Sequence, residues 1–150
     1  MKCVSDASGI VPQIAIIDGV CGGASAVCAS MFDFVVTVKD KSKFYVNSPF
    51  VVGDKAGSSD FAQANGTSVY GAQTTDDAFA YARKLLDILP SNNAESVLVE
   101  NGDDMNRAVA FDAENYKTDE LVAQLADNGS FVKMFNDYTD NTVLGIASFG

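Results

Sequence analysis

The most apolar stretch lies near the start of the chain, and its pattern predicts a strand, a turn and a helix. Residues 11–17 are rich in branched side chains and stop at Asp18, which is typical of a buried strand. The glycines of segment 21–24 predict a turn. Small side chains then follow at 25–30, and they predict a buried helix that packs closely against its neighbours.

Two more strands are predicted further along. Residues 33–38 and 43–46 are rich in β-branched and aromatic side chains, as strands are, and a charged turn at 39–42 separates them. The segment 53–71 is rich in Gly, Ser, Asn and Ala, which favours loops with at most short helical pieces.

The second half of the chain mixes helical and strand patterns. Apolar residues recur at helical spacing over 75–89, after capping oxygens and before a proline, which predicts the most regular helix. A second helix is predicted over about 118–128 and a shorter one at 104–110. Strands are predicted at 131–134 and 142–149. The chain is therefore expected to have an α/β fold.

Length and composition favour one domain spanning residues 1–150. The chain has 150 residues and 47% hydrophobic content, which suffices for one buried core. No Pro- or Gly-rich linker divides it. Its longest apolar run is interrupted by Asp18 and Asp33 and is shorter than the roughly 20 residues of a membrane-spanning helix.

Charge and cysteine content narrow the possible partners. Lys and Arg total 10 against 20 Asp and Glu, so the net charge of −10 disfavours nucleic acid as a partner. The chain has no His, and its cysteines Cys3, Cys21 and Cys28 form no C-x-x-C pair, which excludes the usual mixed Cys/His zinc sites. We expect free thiols in a reducing cytoplasm.

The segment Gly19-Val20-Cys21-Gly22-Gly23-Ala24-Ser25 is the main candidate for chemistry. A glycine turn between a buried strand and a helix frees backbone N–H groups to point at an oxygen atom, and the helix dipole reinforces them. Such donors stabilise the oxyanion of a thioester enolate. By spacing alone, a purely structural turn remains the alternative.

A series of motifs along the chain resembles one family, and its strength lies in the order of the matches. They are Pro12-Gln13-Ile14, Gly19 to Ala24, Asp33-Phe34, Ser48-Pro49, Leu89-Pro90-Ser91-Asn92-Asn93 and Gly129-Ser130-Phe131. In these motifs the chain resembles the carboxyltransferase component of biotin-dependent acyl-CoA carboxylases and decarboxylases.

The resemblance implies a crotonase-like (ClpP/crotonase) α/β fold, a ββα spiral of which this chain would be part of the first, acyl-CoA-binding repeat. Residues 142–150 would then be the first strand of a second repeat that is missing here. The implied backbone donors are Gly22, Gly23 and Ala24. The implied substrate-binding residues are Cys21, Ser25, Asn65 and Gly66.

The resemblance also implies partners. The chain alone would bind no cofactor, and biotin would arrive on a biotin carboxyl carrier protein or domain. The other expected partners are an acyl-CoA substrate, a second carboxyltransferase repeat and further copies of the chain in a homo-oligomer. The expected location is the cytoplasm, or the periphery of a membrane-bound decarboxylase complex. In the family the base arises from carboxybiotin, so no side-chain base is required.

The sequence also departs from the family, and two other functions stay open. Phe61 stands where the family has His, and an ungapped alignment places Gly23 and Ala24 at the family's two oxyanion glycines. One alternative is a non-catalytic acyl-CoA-binding or assembly module of the same fold. The other is a crotonase-type hydratase or isomerase, which would use Asp18 or Asp33 as a catalytic carboxylate.

Overall fold

A parallel three-stranded sheet forms the centre of the computed structural model, which describes residues 1–96, 103–104, 106–139 and 141–149. A short helix, α1 (Lys2–Ala7), precedes the sheet. The strands of this sheet are β1 (Ile14–Ile17), β3 (Phe34–Val38) and β5 (Tyr70–Ala72), with β3 in the middle. All five residues of β3 are buried or half-buried, as a central strand requires.

A second, smaller parallel sheet pairs β2 (Val20–Gly22) with β4 (Lys43–Tyr45). The chain thus gives one strand to the first sheet and one to the second, and then passes through helix α2 (Ala24–Ala29). It repeats this order with β3, β4 and a helical segment. Strand, strand and helix therefore form the repeating unit that positions the candidate bend at the start of α2.

The helical segment after β4 consists of three short pieces. Helix α3 (Pro49–Val52) is followed by a 3₁₀ helix (Asp54–Gly57) and by α4 (Ser59–Ala64). Proline lies at the first turn of α3, where no backbone N–H is needed, and the Ser58 hydroxyl caps α4 by accepting from the Phe61 N–H. The turn after α4 carries the predicted residues Asn65 and Gly66.

The second half of the chain begins with the long helix α5 (Thr75–Ile88). It is followed by α6 (Thr118–Leu125) and by an antiparallel pair formed by β6 (Val132–Met134) and β7 (Leu144–Ile146).

Two apolar clusters hold these elements together. One lies between the first sheet and α5 and includes Val36, Val38 and Leu85, which are at most 1% exposed. The other packs α2 and α4 against the opposite face of the first sheet through Ala26, Ala29 and other small side chains. Because residues alternate between the two faces of a strand, β3 contributes to both clusters.

Most of the predicted elements are confirmed, but four expectations need correction. Segment 20–22 is a strand because β4 pairs with it, and the turn is confined to Gly23. Helix α2 was expected to be buried, but only Ala26 and Ala29 among its residues are buried. Strand β5 lies within the segment expected to be loops and short helical pieces.

The predicted helix at 104–110 is wrong for the residues that the structure describes there, namely 104 and 106–110, which form a turn and irregular backbone. Tertiary hydrogen bonds compete with helix formation in this segment. The Arg107 guanidinium donates to the carbonyls of Gln124 at 2.9 Å and Ala126 at 2.7 Å, and the Ala110 N–H donates to the Gln124 side chain.

Candidate functional site

The bend between β2 and α2 has a backbone conformation that requires glycine. Gly23 has φ 59° and ψ −128°, a region that residues with a Cβ rarely adopt. Its N–H donates to the Tyr45 carbonyl at 3.0 Å, which extends the ladder between β2 and β4 by one bond. The bend is therefore fixed by the conformation of Gly23 and by its bond to the neighbouring strand.

The N–H groups on either side of Gly23 are differently placed. Strand geometry turns successive N–H groups in opposite directions, so the Gly22 N–H points away from β4. Ala24 and Ser25 form the exposed first turn of α2, whose N–H groups have no acceptor within that helix. Within the described part of the chain, no backbone carbonyl or side chain accepts from the N–H of Gly22, Ala24 or Ser25.

This geometry changes the set of candidate donors. Gly22 and Ala24 keep N–H groups that a ligand could use, and Ser25 adds a third, although it was expected only to contact substrate. Gly23 was expected to be a donor, but its N–H is already engaged by Tyr45. Its contribution is to set the direction in which α2 begins.

The Tyr45 ring lies between two glycines. A Cβ atom on Gly22 would lie 2.7 Å from Cε2 of the ring, and one on Gly57 would lie 2.8 Å from Cδ1, at the opposite edge. Real Cβ contacts are essentially never this short, so both positions need glycine for the ring to fit. Sequence reasoning missed Tyr45, because nothing in the spacing of one sequence links it to glycines so far away along the chain.

A cavity of about 210 Å³ lies beside Tyr45, between α2 and α4. Ala26 and Ser30 line it from α2, while Phe61 and Asn65 line it from α4 and the turn that follows. Among the described residues, no Lys, Arg, Asp or Glu side chain contributes to its walls. The cavity therefore suits a small, uncharged group.

The remaining predicted binding residues are only partly brought together. Asn65 lines the cavity, but its side-chain carbonyl accepts from both the N–H and the hydroxyl of Thr67. Gly66 has φ 75° and faces the Tyr138 ring. Cys21 packs against the second apolar cluster. Burial raises the pKa of the Cys21 thiol, and nearby Cys28 raises it further, so Cys21 is a poor nucleophile.

A network of buried hydroxyl groups fixes α4 to the first sheet. Thr37 on β3 is fully buried, and its hydroxyl lies 2.8 Å from the Ser59 hydroxyl and 3.0 Å from the Ser68 hydroxyl. The Gln63 amide donates to Ser59 from the next turn of α4. Because buried polar groups are costly when unpaired, these bonds define where α4, and with it one wall of the cavity, can lie.

The two carboxylates considered for hydratase chemistry have structural partners. Asp18 accepts from the Thr75 hydroxyl at 3.0 Å and pairs with the Lys41 ammonium at 3.2 Å. Asp33 accepts from the Gln13 N–H at 2.8 Å. The Asp18 contacts join the end of β1 to the start of α5 and to Lys41, and the Asp33 contact joins the residue before β3 to the residue before β1. Both carboxylates therefore have structural roles in turns.

The described residues contain neither a metal-ligand cluster nor a membrane-spanning helix. No group of three or more Cys, Asp or Glu side chains in the described ranges is arranged to hold a metal ion. In the same ranges, none of the helices has the length and apolar character needed to cross a membrane.

The chain is similar in sequence to carboxylase and decarboxylase subunits. It is 34% identical over 158 aligned residues to the propionyl-CoA carboxylase beta chain of Roseobacter denitrificans, matching 93% of this chain and 31% of that protein. It is 31% identical over 164 aligned residues to the methylmalonyl-CoA decarboxylase subunit alpha of Veillonella parvula, matching 97% of this chain and 32% of that protein.

The fold is also similar to that of a solved structure. Transcarboxylase 12S, a hexamer solved with methylmalonyl-coenzyme A and methylmalonic acid bound, matches with a TM-score of 0.84 and 27% sequence identity. The match covers 97% of this chain and 32% of that one, so the chain spans about a third of the length of these relatives.

These similarities define first the fold and then the family. The chain has the crotonase-like α/β fold of carboxyltransferases, as a partial domain. Residues 2–150 match the carboxyl transferase domain family, and the chain belongs to that family.

Proposed function

We propose that this chain is the acyl-CoA-binding portion of a biotin-dependent carboxyltransferase, which moves a carboxyl group between biotin and an acyl-CoA. The observation that carries the proposal is the Gly23 bend at the start of α2, where the described residues supply no acceptor for the N–H groups of Gly22, Ala24 and Ser25. Family membership supports the same reaction, and transcarboxylase 12S binds methylmalonyl-coenzyme A.

The proposed role of these N–H groups is to stabilise negative charge. When an acyl-CoA loses a proton next to its thioester, charge develops on the carbonyl oxygen, and fixed N–H donors stabilise that charge more than they stabilise the neutral carbonyl. The donors cost no reorganisation, because Gly23 and Tyr45 already hold the bend.

Biotin would reach the site on a partner protein. It would supply the carboxyl group, and this chain would position the acyl thioester. The first turn of α2 fits that role because Ala24 and Ser25 are exposed and accessible from solvent. The chain's acidity makes local backbone donors important for binding CoA, since the net charge of −10 opposes a polyanionic ligand.

Assembly with further copies and with a second repeat is part of the proposal. Phe50 is 100% exposed and Val51 is 80% exposed on the short helix α3, so they form an apolar surface suited to another protein surface. Transcarboxylase 12S forms a hexamer.

The test is to titrate the chain with propionyl-CoA and with the matching thioether, which lacks the carbonyl oxygen. Ala24→Pro removes one N–H at the first helical position, where proline fits, and Ala24→Ser is the control that keeps the N–H. Loss of one hydrogen bond should weaken propionyl-CoA binding by about two- to tenfold in the Pro variant.

The thioether separates a lost hydrogen bond from general damage. Its affinity should be the same for Ala24→Pro and Ala24→Ser, because it has no carbonyl oxygen to accept a bond. If propionyl-CoA does not bind at millimolar concentration, the chain is not a free-standing acyl-CoA site. Equal loss for both ligands would show that the Ala24 N–H does not contact the thioester.

A further inference from the structure

Tyr45 has two separate connections to the candidate site. Its backbone carbonyl accepts the Gly23 N–H at 3.0 Å and thereby fixes the bend. Its ring packs on Gly22 and also forms part of the wall of the 210 Å³ cavity between α2 and α4. Tyr45 therefore contacts the bend through Gly22 and also borders the cavity, so it is the residue that links the two.

The walls of the cavity match the end of an apolar acyl chain. Most of them are small or apolar side chains such as Ala26, Ala56 and Phe61, and the polar ones include Ser30, Asn65 and Thr67. The Ser30 hydroxyl donates to the Val27 carbonyl, and the Thr67 hydroxyl donates to the Asn65 side chain, so these groups already have partners. A carboxylate at the end of the acyl chain would find no cationic partner among the described residues there, whereas methylene groups would leave water without needing one.

We propose that Tyr45 limits the length of the acyl chain that the site accepts, because its ring closes the cavity to a thioester bound at the bend. This inference rests on the proposed function. With the ring in place, only short acyl groups fit beside Gly22. Without it, the cavity becomes continuous with the bend, and each further methylene group of the substrate can be buried.

The test compares CoA thioesters of increasing length on the wild-type chain, Tyr45→Ala and Tyr45→Phe. The wild-type chain and Tyr45→Phe should bind hexanoyl-CoA no more tightly than propionyl-CoA. For Tyr45→Ala, hexanoyl-CoA should gain about fourfold for each methylene buried, so the ratio of the two dissociation constants should change by more than about tenfold. The bond from Gly23 is to the backbone and survives these substitutions.

A second substitution shows whether the gain comes from the cavity. Ala56 is half-buried on the cavity wall, and Ala56→Phe in the Tyr45→Ala background should refill the space and cancel the preference for hexanoyl-CoA. If Tyr45→Ala does not fold, as judged by thermal melting, Tyr45→Leu opens part of the same space and should shift the ratio in the same direction.

The outcomes separate the two proposals. If wild-type chain binds neither thioester, the proposed function fails. If it binds propionyl-CoA but the chain-length ratio stays the same in Tyr45→Ala, only the assignment to Tyr45 is overturned. A gain that persists after Ala56→Phe would also overturn it, because the longer chain would then lie outside the cavity.

Discussion

The conformation of Gly23 gives a stability prediction that does not depend on any ligand. With φ 59° and ψ −128°, an alanine at this position would be strained, although its Cβ would meet no atom within 4 Å. The cost is therefore conformational and not steric, and we expect Gly23→Ala to lower the free energy of unfolding by about 1–3 kcal/mol.

Gly19 and Gly9 supply matched controls for Gly23→Ala. A Cβ on Gly19 would also meet open space, and the backbone there is not in the positive-φ region. Gly19→Ala should therefore be neutral or raise the free energy of unfolding by about 0.4–1 kcal/mol, through the lower entropy of the unfolded chain. Gly9 has φ 72° and also faces open space, so Gly9→Ala carries a strain of the same kind away from the bend.

Urea denaturation of the three variants measures these differences in unfolding free energy. The melting temperature should shift in the same direction, by about 2–4 °C for each kcal/mol. Acyl-CoA binding should weaken in Gly23→Ala more than in Gly9→Ala, because only the former redirects the start of α2. Equal stability of Gly23→Ala and Gly19→Ala within about 0.5 kcal/mol would refute the reasoning, since the strained backbone would then not exist in the folded chain.

Two further predictions concern the buried hydroxyl network and the thiols. Thr37→Val should lower the free energy of unfolding by about 1–3 kcal/mol in urea titrations, because the buried Ser59 and Ser68 hydroxyls each lose a partner. The control Ser30→Ala removes an exposed hydroxyl and should change this free energy little. Near pH 8, iodoacetamide should alkylate Cys21 more slowly than exposed Cys3, because burial raises the pKa of Cys21 and lowers its thiolate fraction; mass spectrometry showing equal rates would contradict this.

Elements that depend on local pattern could be predicted from the sequence. Strand β3 consists of β-branched and aromatic residues, and α5 begins where the Thr74 hydroxyl accepts from the Asp77 N–H, as the capping residues indicate. Both follow from residues that are adjacent in the chain, so one sequence is enough to place them.

Elements that depend on distant partners could not be predicted in this way. Strand β5 contains Gly71, which reads as a loop residue, but a Cβ there would lie 2.0 Å from the Gln63 side chain. Segment 20–22 becomes a strand only because β4 lies beside it. Likewise, the glycine motif indicated a bend, but which N–H groups remain available depends on the carbonyl of Tyr45.

The parallel pairing of the first sheet has a consequence for how the chain folds during synthesis. Parallel neighbours cannot form a local hairpin, so β3 must wait for Tyr70–Ala72 before its second edge is paired. Until the ribosome has released that segment, Val36 and Val38 border an open edge. Such an edge attracts other unfinished chains, and a chaperone that shields it at this stage should raise the yield of native protein.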